Sequence, residues 1–230
     1  PKYDQSAQNN IGAVKKASPT GENSKIIGIQ LKTADVAKDI PEQTLHDLIS
    51  LIRQNDELIP FILIAPNDDE RRMAEAFNQA HNNELVVVEA DLLAVTSVLK
   101  NMDLLVTPDT AIKHLADLTG TPVLEISLGH APFLKQGSYS KQSLILTDVI
   151  STRGFTKESA IQRTNIGAQD IMASILYSLT KSKTIKPRLS QGVTLYQASF
   201  DQLGIRYTPI AGTIDTQIEI HRLMSRQLMN

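Results

Sequence analysis

An acid, a hydroxyl and a histidine follow one apolar run near the middle of the chain, in the segment LLVTPDTAIKHLADLTGTPVLEI (residues 104–126). The run breaks at Asp109 and Thr110, where a helical pattern starts, and His114 lies one turn further along the same helix face. Amides at a helix N-terminus bind phosphate. Thr110 can donate to a phosphate, and Lys113 is a further possible cation. Asp109 would instead fix the loop by accepting amide hydrogens, or bond a ligand hydroxyl.

This pattern therefore predicts a phosphate or sugar-nucleotide site. An alternative remains open at this point, because caps of this kind are common and the same letters fit a capped helix with a surface histidine. The choice depends on the elements that position the residues.

Short continuous apolar runs alternate with helical patterns along most of the chain. Continuous apolar runs of this length are typical of strands covered on both faces, and the helices between them imply parallel crossovers. The sequence predicts an α/β fold: a doubly wound, mostly parallel, Rossmann-like sheet. Strands are predicted at KIIGIQL (25–31), PFILIAP (60–66), ELVVVEA (84–90), DLLVT (103–107), PVLEIS (122–127) and SLILTD (143–148).

Several residues predict where helices begin, end and face the core. Pro41 suits a first helical residue, Asp91 a helix cap and Gly120 a helix stop. Two inward helix faces are predicted from apolar residues at helical spacing. They consist of Leu45, Leu48, Ile49 and Ile52 in the first helix, and of Ile171, Met172, Ile175, Leu176 and Leu179 in the last.

The chain is predicted to have three parts. Residues 1–24 are polar and without period, as in a linker or mobile arm, and residues 25–181 form the doubly wound domain. Residues 182–230 form a C-terminal extension, with a strand predicted at VTLYQASF (193–200), that packs on the domain, on a missing domain or on another subunit.

Composition excludes several classes of function. A formal charge of −2 over 230 residues gives no overall attraction to nucleic acid, so no nucleic-acid partner is expected. The absence of cysteine excludes disulfides, zinc-thiolate sites and thiol nucleophiles. With no apolar segment of the roughly 18 residues that a membrane span needs, and no signal-peptide pattern at the N-terminus, a cytoplasmic location is expected.

The segment DLLVTPDTAIKHLADLTGTPVLEI resembles the signature of glycosyltransferase family 9, the heptosyltransferases of lipopolysaccharide synthesis. In that signature an apolar strand runs into D-T-G-x-x-H-L-A, then a small-residue helix, G-x-P-V and another strand. Further matches span about residues 25 to 180 in family order. They are LKTADVAKDIPEQTLHDLI, with Lys38 and Pro41 in place and Ile40 where tryptophan is usual, LIAPNDDERRMAEAF with Glu70, and SLGHAPFLKQGSY at the later glycine-rich loop.

The resemblance implies a GT-B fold, and specifically its C-terminal, donor-binding half. Lys38 would neutralise the diphosphate of the donor, Thr33 and Thr110 would bond phosphate oxygens, and Glu70 would hold ribose hydroxyls. A lysine is a suitable point charge for a departing diphosphate.

The same resemblance gives Asp109 and His114 the role of shaping the phosphate turn. Ala111 stands where the family has glycine, which keeps an amide but loses tolerance for positive φ and for very close ligand approach. The pair Ile112 and Lys113 replaces the usual small or proline-containing pair before the histidine.

The motifs assign no role in the site to the other four histidines. His130, beside Gly129, could lie over the donor pocket, although a loop histidine is usually solvated. We assign His46, His81 and His221 to surfaces.

By this resemblance the chain is the nucleotide-sugar-binding domain of a glycosyltransferase that transfers a sugar such as heptose to a lipopolysaccharide-type acceptor. The donor is an ADP-sugar or another nucleotide diphosphate sugar, and no cofactor or metal is expected. A preceding acceptor-binding domain, which carries the catalytic acidic residue in the family, is expected as a missing partner, so this chain alone should be inactive and no catalytic residue is assigned. Peripheral membrane association is a possible property of the full protein.

Two alternatives remain. One is a degenerate family member that serves as a binding or interaction module, with residues 190–230 as its contact surface. The other is a different GT-B family.

Overall fold

A computed structural model describes residues 21–128, 133–148, 164–180, 184–202 and 204–214. These residues form one eight-stranded sheet with helices on both faces. The strands are β1 Lys25–Gln30, β2 Leu58–Ile64, β3 Val86–Glu89, β4 Leu104–Pro108, β5 Val123–Ser127, β6 Leu144–Asp148, β7 Val193–Asp201 and β8 Gly204–Gly212. The helices are α1 Glu42–Arg53, α2 Asp68–Ala80, α3 Ala94–Leu99, α4 Ala111–Thr119, α5 Phe133–Gln136 and α6 Ala168–Leu179, with 3₁₀ turns at Gly21–Asn23 and Val36–Lys38.

The strand order is β3-β2-β1-β4-β5-β6-β7-β8, and the first six strands in the chain are parallel. Strands β2 and β3 are added on one side of β1. The chain then crosses to the other side of β1, where β4, β5 and β6 are added in turn. This arrangement confirms the predicted doubly wound α/β fold. Between β1 and β4 the direction of building reverses, and such a switch point leaves a crevice beyond the carboxyl ends of the two strands.

Two apolar cores, one on each face of the sheet, explain why the strands read as continuous apolar runs. Alternate residues of β1 enter different cores: Ile27 and Ile29 belong to the larger one and Ile26 to the smaller. Helices α1, α2 and α6 cover the larger core, and α3 and α4 cover the smaller. The predicted inward face of α1 is buried as expected, whereas Leu176 of α6 is exposed.

A β-hairpin extends the parallel sheet. The strand predicted at 193–200 is β7, which pairs antiparallel with β6, and β8 pairs antiparallel with β7. The sequence did not predict β8, because Gly204, Pro209 and Gly212 interrupt the alternation of apolar residues in this strand. The proline is tolerated because β8 is the edge strand of the sheet. A third small apolar cluster, around Phe133, Tyr196 and Tyr207, fills the space between α5 and the hairpin.

Part of the predicted N-terminal arm is folded: residues 21–23 form a 3₁₀ turn and Ser24 is buried. Residues 1–20 and 215–230 lie outside the described residues, so the proposed division of the chain at residues 24 and 181 stays a prediction. Of the helices described, none is long and apolar enough to cross a membrane.

Helix boundaries follow the predicted signals. Asp91 accepts the amides of Leu93 and Ala94 through Oδ1, at 2.9 and 2.8 Å, ahead of α3. Pro41 is at the cap position of α1, one residue before the helix. Gly120 ends α4 with a φ of 78°, in the left-handed region.

The assignment of His81 to the surface is wrong, whereas His46 is partly exposed, with 25 % of its side chain accessible. His81 is only 8 % exposed, and its Nε2 lies 3.1 Å from Nδ1 of His46. The ring of His46 also stacks on Phe77, with ring centroids 4.0 Å apart. Burial, then the nearby His46 and Arg53, lower the pKa of His81. A single sequence does not show that these two rings, from α1 and the end of α2, meet between the helices.

A substitution at Gly120 tests the left-handed backbone conformation separately from any steric clash of the new side chain. A Cβ there would meet no heavy atom within 4 Å, so Gly120→Ala adds only left-handed strain. We expect Gly120→Ala to lower the free energy of unfolding by about 1 kcal/mol, measured by urea denaturation. Gly120→Asn should lose clearly less, because asparagine tolerates this region. Equal losses for the two variants would contradict the cap geometry.

Candidate functional site

Two of the predicted site residues, Lys38 and Asp109, meet at the crevice between β1 and β4. The loop after β1 carries Lys38 at the end of a 3₁₀ turn, and the turn after β4 carries Asp109. The Lys38 ammonium donates a hydrogen bond to Oδ2 of Asp109 at 2.6 Å, although the two residues are 71 positions apart. This ion pair links the loop after β1 to the turn after β4 across the switch point.

Internal hydrogen bonds fix the loop that presents Lys38. The amide of Thr33 donates to Oδ1 of Asp39 at 2.7 Å, and the Thr33 hydroxyl donates to the carbonyl of Asp35 at 2.6 Å. The Asp35 side chain in turn caps the 3₁₀ turn through the amide of Ala37. Thr33 therefore shapes the loop in this structure, and its bond to a phosphate stays a prediction.

Asp109 is the centre of the charged network. Its Oδ1 accepts from Lys113 at 2.6 Å, and its Oδ2 accepts from Lys38 at 2.6 Å and from Nε2 of Gln136 at 2.7 Å. Burial raises the pKa of Asp109, but the hydrogen bonds from Lys113 and Lys38 outweigh it and hold the pKa below its ordinary value. The carboxylate therefore binds cations of neighbouring elements, where our sequence analysis expected helix amides or a ligand hydroxyl.

The threonine beside Asp109 is held by the strands. Thr110 donates to Oε1 of Gln30 at 2.9 Å, and Thr107 donates to the same oxygen at 2.7 Å. Thr110 is the N-cap residue of α4, yet its side chain does not bond the helix amides. Ala111, the first residue of α4, is exposed. The first turn of this helix is therefore not capped by the Thr110 hydroxyl, which is what a site for an external anion requires.

Lys113 is buried beneath the site. Its side chain is fully inaccessible, and its three N–H groups point to Oδ1 of Asp109 at 2.6 Å, the carbonyl of Gln136 at 2.6 Å and Oε2 of Glu125 at 3.3 Å. Lys113 therefore supports Asp109 from inside the protein. It is not placed to contact a ligand directly, as we had allowed.

Glu125 completes this network and was missed in the sequence. It lies on β5, is 0 % exposed and accepts the amide of Ser138 at 2.6 Å through Oε2, while its Oε1 has no hydrogen-bond partner among the described residues. Burial raises its pKa to about 7, against the opposing effects of Lys113 and the Ser138 amide. Two signals were available: one carboxylate within the apolar run PVLEIS, and a lysine four residues after Asp109.

His114 lies beside the network. Its ring stacks on Tyr139 with centroids 6.1 Å apart, and the Tyr139 amide is fixed by Oδ2 of Asp117 at 2.9 Å. Burial, then the charge of Lys113, lower the pKa of His114. The lowered pKa favours the neutral ring. Its role in shaping a phosphate turn stays a prediction.

Glu70 lies further along the same edge of the sheet. Its Oε2 accepts the amide of Ala65 at 2.7 Å and its Oε1 accepts Nδ2 of Asn67 at 3.0 Å, while Asn67 caps α2 through the Glu70 amide at 2.8 Å. The carboxylate thus ties the end of β2 to the start of α2. Whether it also holds a ribose stays a prediction.

A cavity of about 420 Å³ lies beside Ala65, the residue whose amide Glu70 binds. It lies beyond the ends of β2 and β3, with the first turn of α4 on one side. Its lining is mostly apolar, and Leu92 and Leu93 on its wall are 62 % and 86 % exposed. The lining residues are Ala65, Pro66, Ala90, Asp91, Leu92, Leu93, Val95 and Ile112.

In the part of the chain that the structure describes, no three His, Cys, Asp or Glu side chains are grouped to hold a metal ion. Function without a metal stays a prediction. His130 and His221 lie outside the described residues, so their proposed positions are not tested.

Comparison with known proteins identifies relatives with this fold. The family model for glycosyltransferase family 9 (heptosyltransferase) matches residues 2–162. A glycosyl transferase family 9 structure from Veillonella parvula DSM 2008 has a TM-score of 0.61 at 14 % identity, covering 79 % of this chain and 52 % of that one. No curated protein matches the chain.

Two E. coli structures are also similar. ADP-heptose LPS heptosyltransferase II has a TM-score of 0.58 at 15 % identity, with 77 % of this chain and 51 % of that one covered. Heptosyltransferase WaaC with ADP has a TM-score of 0.50 at 20 % identity, with 68 % and 47 % covered. The chain therefore spans about half the length of the solved structures that it matches.

Removing the charge of Asp109 should show how much the stability of the fold depends on the ion pair between Asp109 and Lys113. Asp109→Asn leaves a buried ammonium without its closest counter-ion, and we expect a loss of about 3 kcal/mol in the free energy of unfolding, measured by urea denaturation. Lys38→Ala is the matched control, because Asp109 then keeps Lys113 and Gln136; it should cost less than about 1 kcal/mol. Similar losses for both variants would contradict this arrangement.

Glu125 should make stability depend on pH. Its folded-state pKa of about 7 lies above the ordinary value of 4.5, so its favourable contribution is complete below pH 4.5 and is lost as pH rises through 7. Glu125→Gln has no proton to lose. Relative to wild type, its free energy of unfolding should therefore rise by up to about 3 kcal/mol between about pH 5 and pH 8.

The measurement is urea denaturation of wild type and Glu125→Gln across this pH range. Glu75→Gln, an exposed change of the same chemistry, is the control and should run parallel to wild type. If the Glu125→Gln curve also runs parallel, the carboxyl does not titrate as described.

Proposed function

The chain belongs to glycosyltransferase family 9 (heptosyltransferase), and we propose that it is the nucleotide-sugar-binding half of a sugar-transferring enzyme. The donor is a nucleotide diphosphate sugar such as ADP-heptose, and the acceptor is of the lipopolysaccharide type. The complete enzyme acts in the cytoplasm, joins this half to an acceptor-binding domain and approaches the membrane peripherally through its acceptor.

The observation that carries the proposal is the contact of Lys38 with Asp109, the residue that precedes the N-cap of α4, at the switch point of the sheet. The Lys38 ammonium is partly exposed, and the first amides of α4, which the Thr110 side chain does not cap, follow Asp109 in the chain. Both groups favour a phosphate: the lysine as a point charge, and the helix N-terminus through its amides and dipole. We propose that one diphosphate contacts both groups.

The position of Asp109 is compatible with an anionic ligand because Lys38 is not its only cation. When Lys38 turns to a phosphate, Lys113 and Gln136 still hold the carboxylate. A buried carboxylate that lost its only partner would oppose binding strongly. In this network Lys38 is free to exchange partners, and Asp109 remains satisfied.

The adjoining cavity suits the rest of the nucleotide. Its apolar wall, with Pro66, Leu92 and Leu93, offers a surface against which a planar base can pack. Glu70, in the first turn of α2, accepts the amide of Ala65, a residue of the cavity wall just after β2. We propose that the base occupies the cavity, with the ribose hydroxyls toward Glu70 and the diphosphate toward Lys38 and Thr110.

In sugar transfer the acceptor oxygen forms a bond to the anomeric carbon while the bond from that carbon to the diphosphate breaks. The acceptor proton passes to a general base, and the diphosphate leaves with the electron pair. In this proposal Lys38 and the α4 amides stabilise the leaving group. We assign the base to the acceptor-binding half of the enzyme.

A degenerate member of the family, serving as an interaction module, is the second candidate. Two observations favour it: Lys38 is already paired with Asp109, and Ala111 replaces the glycine of the family motif. Both features weaken an anion site without disturbing the fold. Nucleotide binding distinguishes the two candidates.

Titration of ADP-glucose and UDP-glucose against the purified chain tests the donor site. We expect saturable binding of at least one of them, and a loss of about 10- to 100-fold in affinity for Lys38→Ala, as expected for a charge-assisted contact to phosphate. Isothermal calorimetry measures both.

The matched control is Lys32→Ala, which removes an exposed lysine of the same loop. It should change affinity less than about twofold, because a rim charge contributes mainly through screened electrostatics. No binding of either nucleotide sugar, or equal effects of the two lysines, would overturn the donor-site proposal and favour the interaction module.

A further inference from the structure

Four charged side chains form a line of alternating sign from the surface to the interior of the protein. The Lys38 ammonium is 2.6 Å from Asp109, Asp109 is 2.6 Å from the Lys113 ammonium, and Lys113 is 3.3 Å from Glu125. Exposure falls along this line, from 17 % for the Lys38 side chain to 8 %, 0 % and 1 % for the next three. Only the outer end is open to a ligand, so any effect of binding on Glu125 must pass through Asp109 and Lys113.

We propose that Glu125 is a positioning residue of the donor site, and that it takes up a proton when a nucleotide diphosphate binds beside Lys38. The inference rests on the proposed function, because it needs an anion at that place. It adds a residue to which the family resemblance gave no role, and a thermodynamic link between donor binding and pH.

The physical reason is a redistribution of charge. In the free chain Asp109 shares two ammonium groups, and Lys113 divides its attraction between Asp109 and Glu125. A phosphate that draws Lys38 away leaves Asp109 more dependent on Lys113, and it also adds negative charge at the outer end of the line. Both changes disfavour a second negative charge on Glu125.

Glu125 has the geometry to accept a proton. Its Oε2 is engaged by the Ser138 amide and Lys113, whereas Oε1 is buried with no hydrogen-bond partner among the described residues, so the proton goes to Oε1. Because burial raises the pKa of this carboxyl to about 7, both protonation states are populated in neutral solution and a modest change in the field shifts their ratio.

Tyr207, His114 and Asp117 are the other titratable groups packed around this network. On the side of the hairpin, burial and then Glu125 and Asp117 raise the pKa of Tyr207 far above neutrality, so this phenol stays protonated. On α4, burial lowers the pKa of His114 below its ordinary value of 6.5. The Asp117 carboxylate is engaged by Ser138, Tyr139, Ser140 and Ser143.

The test measures proton uptake with a ligand that does not itself titrate. ADP-glucose and UDP-glucose suit this purpose, because both phosphates are esterified. Calorimetric titration of wild type in HEPES and in Tris, buffers with different ionisation enthalpies, gives the number of protons taken up. If binding raises the pKa of Glu125 by about one unit, the uptake is about half a proton at pH 7.5, and affinity falls about tenfold between pH 6 and pH 9.

Glu125→Gln should bind with an affinity that does not vary with pH and without proton uptake. Glu75→Gln, an exposed and distant carboxylate on α2, should behave as wild type. A purely structural role of Glu125 would change affinity or stability in the variant but would leave the uptake of protons by wild type at zero.

The outcomes separate the two proposals. Binding of a nucleotide sugar by wild type without proton uptake overturns this inference and leaves the donor site intact. Uptake that persists in Glu125→Gln also overturns it, because another group then takes the proton. If the variant does not fold, the uptake by wild type and a ¹³C NMR titration of its glutamate carboxyls with and without ligand decide the question. If neither nucleotide sugar binds, both proposals are wrong.

Discussion

The carboxylate of Asp109 is the constraint on which this edge of the molecule depends. It binds one lysine from the loop after β1 and another from its own helix α4, and it also accepts a hydrogen bond from α5. Three separate parts of the chain are thereby held around one acidic group. These partners hold the pKa of the carboxyl below its ordinary value and fix the turn after β4 in the geometry described.

The topology of the sheet explains why these parts meet. Residues after β1 and β4 become neighbours only because the chain reverses its direction of building between these strands. Parallel strands end at a common edge, so two loops far apart in sequence are delivered to one crevice. The family relationship fits this arrangement, and the low identity to the solved relatives shows how much sequence change such a framework accepts.

Much of the fold could be predicted from the sequence, because strands buried on both faces have continuous apolar runs and α1 has a regular inward face. Lys38 and Asp109 could be predicted as neighbours from the family motif together with the topology. The sequence did not show that Lys113 is buried, because a lysine in a helix usually reaches solvent. Its burial depends on Asp109, on the Gln136 carbonyl and on Glu125 of β5, which the fold brings together. Strand β8 was missed because proline and glycine obscured it, and the contact between His46 and His81 depends on helix packing that no local pattern encodes.

The reversal of strand order also makes the β1–β4 pairing a boundary for local opening of the sheet. Strands β1 to β3 form one half of the sheet and β4 to β6 the other. The two halves are joined by the β1–β4 pairing, by the packing of α1 on α6 and of α3 on α4, and by the bond between Lys25 and Asp103. Opening along this boundary would part Lys38 from Asp109 while each half kept its own strands paired. A ligand that bridges the boundary therefore acts as a clamp, and sub-global opening becomes rarer in proportion to its occupancy.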